Sequence, residues 1–74
     1  MATNANKTLL VIGQNLRRIR TAAGLLQEQL ALEADIDRTY VSQIERGIGN
    51  PSILTLKKIS DRLKVGLADL IVGV

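Results

Sequence analysis

The 74-residue sequence predicts a single all-α domain of five helices that spans residues 1–74. Apolar residues recur along most of the chain at the i, i+3, i+4 spacing of amphipathic helices. Gly24, Gly47, Pro51 and Gly66 fall between these stretches, where helices are expected to end. Because Tyr40 is the only aromatic residue, the core must be built from Leu, Ile, Val and Ala side chains.

The composition excludes several classes of function. The sequence contains no Cys and no His, which removes disulfides, zinc sites, thiol nucleophiles and imidazole catalysis. A Gly-rich phosphate loop is also missing, so we expect no catalytic residue, metal ligand, cofactor or small-molecule ligand. The apolar run at 9–12 is far too short for a membrane span, and no signal peptide is visible, so a cytoplasmic protein is expected. A net charge of +3 permits nucleic acid as a partner.

The first helix is predicted to run to about Ala23 and to end at Gly24. Its apolar face is expected to consist of Leu9, Ile12, Leu16, Ile19 and Ala23. Residues 1–6 are small and polar, which predicts a frayed end, with Asn6 or Thr8 as the N-cap.

Residues 26–47 predict two short helices joined by a tight turn. The first begins near Gln27, and the second follows Asp37, whose carboxylate can cap its free amides. Ala31 is small enough for the two helices to cross closely. The apolar positions follow helix-turn-helix spacing, and they are Leu30, Ala31, Ala34, Ile36, Val41 and Ile44.

The second helix of this pair has one apolar and one polar side. Val41 and Ile44 lie about 60° apart on a helical wheel, so both can be buried. Hydrogen-bonding side chains without any acid occupy the other side and predict contacts with base edges in the major groove. These candidate base-reading residues are Arg38, Thr39, Ser42, Gln43 and Arg46. The alternative is an ordinary amphipathic helix with a solvated polar face.

The last two helices are predicted over residues 53–74. Pro51 biases Asn50 away from helix, and Ser52 caps a fourth helix that runs to about Lys64. Its buried face is expected to contain Ile53, Leu56, Ile59, Ser60 and Leu63, while Leu54 points outward. A fifth helix runs from Leu67 to about Val72. Its apolar residues predict a dimer interface of Leu67, Leu70, Ile71 and Val72, and the alternative is that they complete the core.

Three segments resemble the phage repressor and Cro-type helix-turn-helix family. They are Gln27-Glu28-x-Leu30-Ala31, Tyr40-Val41-Ser42-x-Ile44-Glu45-Arg46-Gly47 and Asn50-Pro51-Ser52. Within the family the chain is most similar to controller proteins of restriction–modification systems. The resemblance implies a five-helix lambda-repressor-like DNA-binding domain that dimerises through its C-terminal helices. It further implies a transcription regulator that binds a double-stranded DNA operator upstream of its own gene and of the endonuclease gene.

The resemblance assigns roles to individual residues and leaves two departures. Gln27 is similar to a family residue that touches a DNA phosphate, and Arg20 with Glu45 is expected to form a structural ion pair between the first and third helices. Leu26 stands where the family usually has Ser or Thr, and Asp35 stands where its turn usually has Gly.

Further phosphate contacts are predicted from position and side-chain chemistry. Arg17 and Arg18 point away from the predicted core, and Asn50 lies in the loop before the fourth helix. Plain solvation is the alternative for both arginines. Tyr40 is expected either to bond a phosphate through its hydroxyl or to pack on the helix flank.

The short predicted reading helix implies that a second copy of the chain is a partner. One such helix reads roughly four base pairs, too few for selection in a genome, so a homodimer on two half-sites is expected. Glu28 and Glu33 are candidates for touching RNA polymerase during activation. Two other functions stay open: an antitoxin or phage-type repressor, and a helical protein–protein adaptor that does not bind DNA.

Overall fold

The computed structural model describes residues 4–74 and consists there of five helices without a strand. The helices are α1 (Asn4–Ala22), α2 (Gln27–Ala34), α3 (Arg38–Glu45), α4 (Ile53–Leu63) and α5 (Leu67–Ile71). The predicted all-α architecture of five helices is therefore confirmed. None of these helices is both long enough and apolar enough to cross a bilayer.

One aliphatic core holds the five helices together. Helix α1 packs against α3 and α5, while α2 packs against α3 and α4, and α4 also contacts α5. The core is therefore reached from every helix, which is how such short elements are stabilised. Its buried apolar members are Ile12, Leu16, Leu30, Ala31, Ala34, Val41, Ile44, Leu56, Ile59, Leu63 and Leu70.

Local capping explains where α2, α3 and α4 begin. The Oδ1 of Asp37 accepts from the amide of Thr39 at 2.7 Å, and Ser52 accepts from the amide of Thr55 at 3.1 Å, as predicted. Leu26 offers no side-chain cap to α2. Instead its amide donates to the Oε1 of Gln29 at 2.8 Å, which forms half of a capping box.

The turn between α2 and α3 contains a residue in the left-handed conformation. Asp35 has φ 58°, a conformation that Asp tolerates better than most residues other than Gly. Ile36, which follows it, is partly buried against the core. The departure from the usual glycine therefore leaves the turn intact.

The beginning of α1 differs from the prediction. The helix already includes Asn4, so Asn6 and Thr8 lie inside it and do not cap it. Residues 1–3 of the predicted frayed end lie outside the described residues. Ala23, predicted on the apolar face of α1, is exposed. It follows the last residue of α1, and the chain turns away from the helix at Gly24, which has φ 74°.

Helices α4 and α5 bring two further corrections. Ile53 is 60% exposed, because it is the first residue of α4 and precedes the turn whose Leu56 reaches the core. Leu70 has no exposed surface and Leu67 is partly buried against the core, so these two residues complete the domain's own interior. Ile71 and Val72 remain exposed at the end of the chain.

Candidate nucleic-acid interface

Helix α3 presents one apolar side to the core and one polar side to solvent. Val41 and Ile44 are fully buried, as their spacing predicts. The polar side carries the five candidate base-reading residues Arg38, Thr39, Ser42, Gln43 and Arg46. Within residues 4–74 no hydrogen bond or ion pair engages any of these five side chains. Their hydrogen-bonding groups are therefore available to a ligand.

Two glycines that are not among the predicted site residues set the position of α3. A Cβ on Gly13 of α1 would lie 2.7 Å from the carbonyl oxygen of Glu45 and closer still to that of Ile44. Gly49 is buried, and a Cβ there would meet the amide nitrogen of Ile44 at 3.0 Å. Because a glycine inside a helix lowers helix stability, Gly13 itself was the available signal of a close packing contact.

The carboxylate of Glu45, at the end of α3, is bound on both oxygens by Arg20 of α1. The Nε of Arg20 donates to Oε2 at 2.5 Å, and its Nη2 donates to Oε1 at 3.0 Å. The remaining Nη1 donates to the carbonyl of Leu25 at 2.7 Å. Both side chains are buried, so this bidentate pair joins α1 to α3 inside the domain.

Two predicted phosphate-binding residues also reach Glu45. Gln27, the first residue of α2, donates from Nε2 to Oε1 at 3.0 Å, and Arg17 donates from Nε to the same oxygen at 3.3 Å. Residue spacing in the sequence predicts neither contact. Glu45 thus connects three helices. The side chain of Arg17 is 58% exposed, so its terminal guanidinium nitrogens stay accessible at the surface.

The surroundings of Glu45 keep it ionised. Burial alone would raise the pKa of its carboxyl, because the charged form loses hydration. The hydrogen bonds from Arg20, Gln27 and Arg17, together with the charge of Arg20, outweigh burial and lower the pKa below its usual value. The carboxylate therefore stays negative at neutral pH and holds its three donors.

Tyr40 and Asn50 are brought together by a hydrogen bond. The Tyr40 hydroxyl donates to the carbonyl oxygen of Asn50 at 3.1 Å, and its ring packs against the core. Since a phenol has one proton, Tyr40 can donate to a phosphate only by giving up this bond. The Asn50 side chain is exposed beside α3 and stays accessible.

The acidic residues of α2 lie in different surroundings. Glu33 forms an ion pair with Arg62 of α4, whereas Glu28 is exposed without a hydrogen bond or ion pair in the described chain. No cluster of three or more potential metal ligands occurs among residues 4–74. The arrangement as a whole presents hydrogen-bonding side chains to a ligand.

Comparison with known proteins places this geometry in context. Residues 16–70 match the sequence model of a family described as helix-turn-helix. The control protein C.BamHI of Bacillus amyloliquefaciens is 45% identical over 67 residues, covering 89% of this chain and 83% of that protein.

Two solved structures are similar over most of the chain. The restriction–modification controller protein C.AhdI from Aeromonas hydrophila has a TM-score of 0.82 and 42% identity, covering 84% of this chain and 94% of that one. The biofilm master regulator SinR, crystallised in complex with DNA, has a TM-score of 0.77 and 38% identity. That similarity covers 80% of this chain and 95% of that one.

Proposed function

Because the chain belongs to this helix-turn-helix family of DNA-binding transcription regulators, we propose that it acts as a restriction–modification controller protein. In this role it binds an operator upstream of its own gene and of the endonuclease gene, in the cytoplasm. The observation that carries the proposal is the polar side of α3, where five hydrogen-bonding side chains have no partner within residues 4–74. Its similarity to C.BamHI and C.AhdI supports the controller role.

We assign the polar side of α3 to contacts with base edges in the major groove. Arg38 and Arg46 match the paired acceptors of guanine, and Gln43 matches the donor and acceptor of adenine. Thr39 and Ser42 are short and suit closer contacts, including the thymine methyl for Thr39. The absence of an acid among the five residues favours this assignment, since a carboxylate there would be repelled by the DNA backbone.

The phosphate contacts are assigned to residues around α3. Arg17 can bind a phosphate through its exposed guanidinium end while its Nε stays on Glu45. Gln27 keeps one amide hydrogen that is not used by Glu45, and the Asn50 side chain is exposed. Tyr40 supports the interface chiefly by fixing the loop that carries Asn50. These contacts orient the protein on the duplex, and the base contacts supply sequence information.

The operator proposal is tested by fluorescence anisotropy on the DNA just upstream of this gene, with a shuffled duplex as the reference. We expect strong preference for the native duplex and a loss of roughly 1–3 kcal/mol of binding free energy for Arg46→Ala or Gln43→Ala. Lys58→Ala, which removes a positive charge from α4, is the matched control for Arg46→Ala. Equal weak binding of both duplexes, unchanged by the α3 substitutions, would favour the protein–protein adaptor instead.

A homodimer is the second part of the proposal. Two reading helices related by a two-fold axis contact half-sites about one helical turn, ~34 Å, apart, which doubles the length of sequence read. Of the four predicted interface residues, Ile71 and Val72 remain exposed, and Val74 is exposed beside them. We call these three residues the C-terminal apolar surface. Its concentration of exposed aliphatic side chains at one end of a thin core favours contact with a second copy.

Sedimentation equilibrium tests the dimer. Val72→Asp is expected to shift the protein to monomer, because it places a charge on the C-terminal apolar surface. Leu54→Asp is the matched control, since Leu54 is 72% exposed on α4. Dissociation by Leu54→Asp and not by Val72→Asp would move the interface to α4.

RNA polymerase contact is assigned to the acidic side of α2. Glu28 is exposed, whereas the carboxylate of Glu33 is already engaged by Arg62. We therefore expect Glu28→Gln to keep operator affinity but to lower activated transcription from the native promoter. Glu33→Gln should have the smaller effect, and unchanged activation in both variants would remove this part of the proposal.

A further inference from the structure

Asn15 is a buried polar residue in the middle of α1 that the DNA interface does not use. It is 9% exposed, and its side-chain amide lies against the end of the chain. The Nδ2 donates to the carbonyl oxygen of Leu70 at 3.0 Å and to that of Val72 at 2.8 Å. Because both partners are carbonyls, which only accept, the orientation of the amide group is fixed by its contacts.

These two hydrogen bonds hold the C-terminal end of α5. A helix of five residues is marginal on its own, and its last carbonyls have no partner within the helix. Leu70 anchors α5 through its buried side chain, whereas Ile71 and Val72 after it are exposed. Asn15 binds the carbonyl of Leu70, which precedes Ile71, and the carbonyl of Val72, which follows Ile71. It thereby fixes the backbone that carries the side chains of Ile71 and Val72.

The same helix connects this end of the molecule to α3. Arg20, five residues after Asn15 on α1, is bound to Glu45 at the end of α3. Gly13, two residues before Asn15, lies against the backbone of α3. Helix α1 therefore contacts both α3 and the backbone of residues 70–72, and it fixes the orientation of the C-terminal apolar surface relative to α3. In a two-fold dimer that orientation sets the distance between the two α3 helices.

We propose that Asn15 is a positioning residue for assembly: its amide clamps the carbonyls of Leu70 and Val72 so that the C-terminal apolar surface faces a second copy at the angle the operator requires. The inference rests on the proposed dimeric function. It assigns Asn15 no contact with DNA or with the partner protomer. Its role is exerted through the backbone of residues 70–72.

The test combines Asn15→Leu, which keeps a similar shape without the donors, with Ser60→Ala as the matched control. Ser60 is also buried, but its hydroxyl donates only to the carbonyl of Lys57 within α4. We expect Asn15→Leu to weaken dimerisation in sedimentation equilibrium about tenfold or more, while Ser60→Ala leaves it unchanged. Affinity for a duplex with a single half-site should be unchanged in both variants, since each α3 is intact.

Each outcome separates this inference from the proposed function. Asn15→Leu that dimerises like the wild type would overturn the role of Asn15 and leave the dimer proposal standing. A monomeric wild type would overturn both. Equal loss of half-site and full-operator affinity in a folded Asn15→Leu would mean that Asn15 supports the whole domain rather than assembly. If Asn15→Leu does not fold, Asn15→Ser, which keeps one donor, is expected to weaken dimerisation to an intermediate degree.

Discussion

A single buried carboxylate, that of Glu45, connects three helices of this domain. It accepts from Arg20 on α1, from Gln27 on α2 and from Arg17 on α1. Taking an ion pair out of water is expensive, so such a pair persists when its geometry is good and its other lone pairs are filled. Here Arg20 supplies a bidentate contact, and Gln27 and Arg17 supply additional donors, so loss of one partner is expected to be destabilising.

Glu45→Gln is expected to lower the free energy of unfolding at pH 7 by about 3 kcal/mol, since it leaves Arg20 buried without its counter-charge. The effect should depend on pH. The folded protein lowers the pKa of Glu45, so the wild type has this stabilisation above the unfolded pKa of about 4.3 and loses it as pH falls through the lower folded value. Urea unfolding between pH 7 and pH 3 measures the difference.

Glu28→Gln is the control for this experiment, because Glu28 is an exposed carboxylate on α2. It should change stability little at any pH. A difference between wild type and Glu45→Gln that stays constant down to pH 3 would contradict the assignment of the charged form to the folded state.

At the scale of the helices, α3 is held in place by backbone contact as well as by side chains. Gly13 lets α1 approach the carbonyls of Ile44 and Glu45 more closely than any residue with a Cβ permits. This approach also brings Arg20 within reach of Glu45. The angle of α3 therefore depends on a residue that has no side chain of its own.

Gly13→Ala is expected to destabilise the domain by about 3 kcal/mol, because the added methyl group forces α1 and α3 apart. Thermal unfolding measures the loss. Gly66→Ala is the comparison, since a Cβ on Gly66 makes only an ordinary contact at 3.4 Å with Asp69. A stable Gly13→Ala with normal operator affinity would show that the two helices can separate without consequence.

At the start of α2, a substitution is expected to stabilise the domain rather than destabilise it. Leu26 has the extended conformation of an N-cap residue but no side-chain acceptor, and it is largely exposed. Leu26→Ser is therefore expected to stabilise the domain by about 1 kcal/mol by capping a free amide of α2. Leu32→Ser, at an exposed position inside α2, should give no gain in the same urea titration. A gain of equal size in both variants would point to lost surface hydrophobicity rather than to capping.

At the scale of the whole molecule, the surface charges differ in their surroundings. On α2, Glu28 is exposed and Glu33 is paired with Arg62, whereas Arg17 lies exposed on α1 beside Glu45. Glu28 lines the same surface depression as Gln27 and Arg38, so a carboxylate lies at the edge of the candidate interface. Binding to DNA is therefore expected to depend on specific contacts of α3 rather than on net charge alone.

The number of phosphates contacted by the dimer is measurable from the salt dependence of binding. Arg17→Gln is expected to reduce the slope of log K against log salt by about 0.9 for each protomer. Lys57→Gln, which removes the same charge from an ion pair with Asp61 on α4, should leave the slope nearly unchanged. Equal slopes for the wild type and Arg17→Gln would show that Arg17 contacts Glu45 but no DNA phosphate.

The sequence by itself determined the local features of this protein. Helical periodicity identified five helices, and the capping roles of Asp37 and Ser52 were readable, because each depends on residues only a few positions apart. The polar side of α3 was readable for the same reason. The resemblance of three segments to the phage repressor and Cro-type helix-turn-helix family then implied a DNA-binding function.

Apart from the Arg20–Glu45 ion pair, which the family resemblance implied, only the tertiary structure decided which distant residues meet. Leu70 and Ile71 are adjacent and equally apolar, yet Leu70 is buried and Ile71 exposed, because the packing of α5 on α1 and α4 selects one direction. The contact of Gln27 with Glu45, the close approach at Gly13 and the clamp of Asn15 on the chain end likewise join separate elements. Periodicity specifies which face of a helix is apolar. The partner of that face depends on how the helices pack, and local spacing does not contain that information.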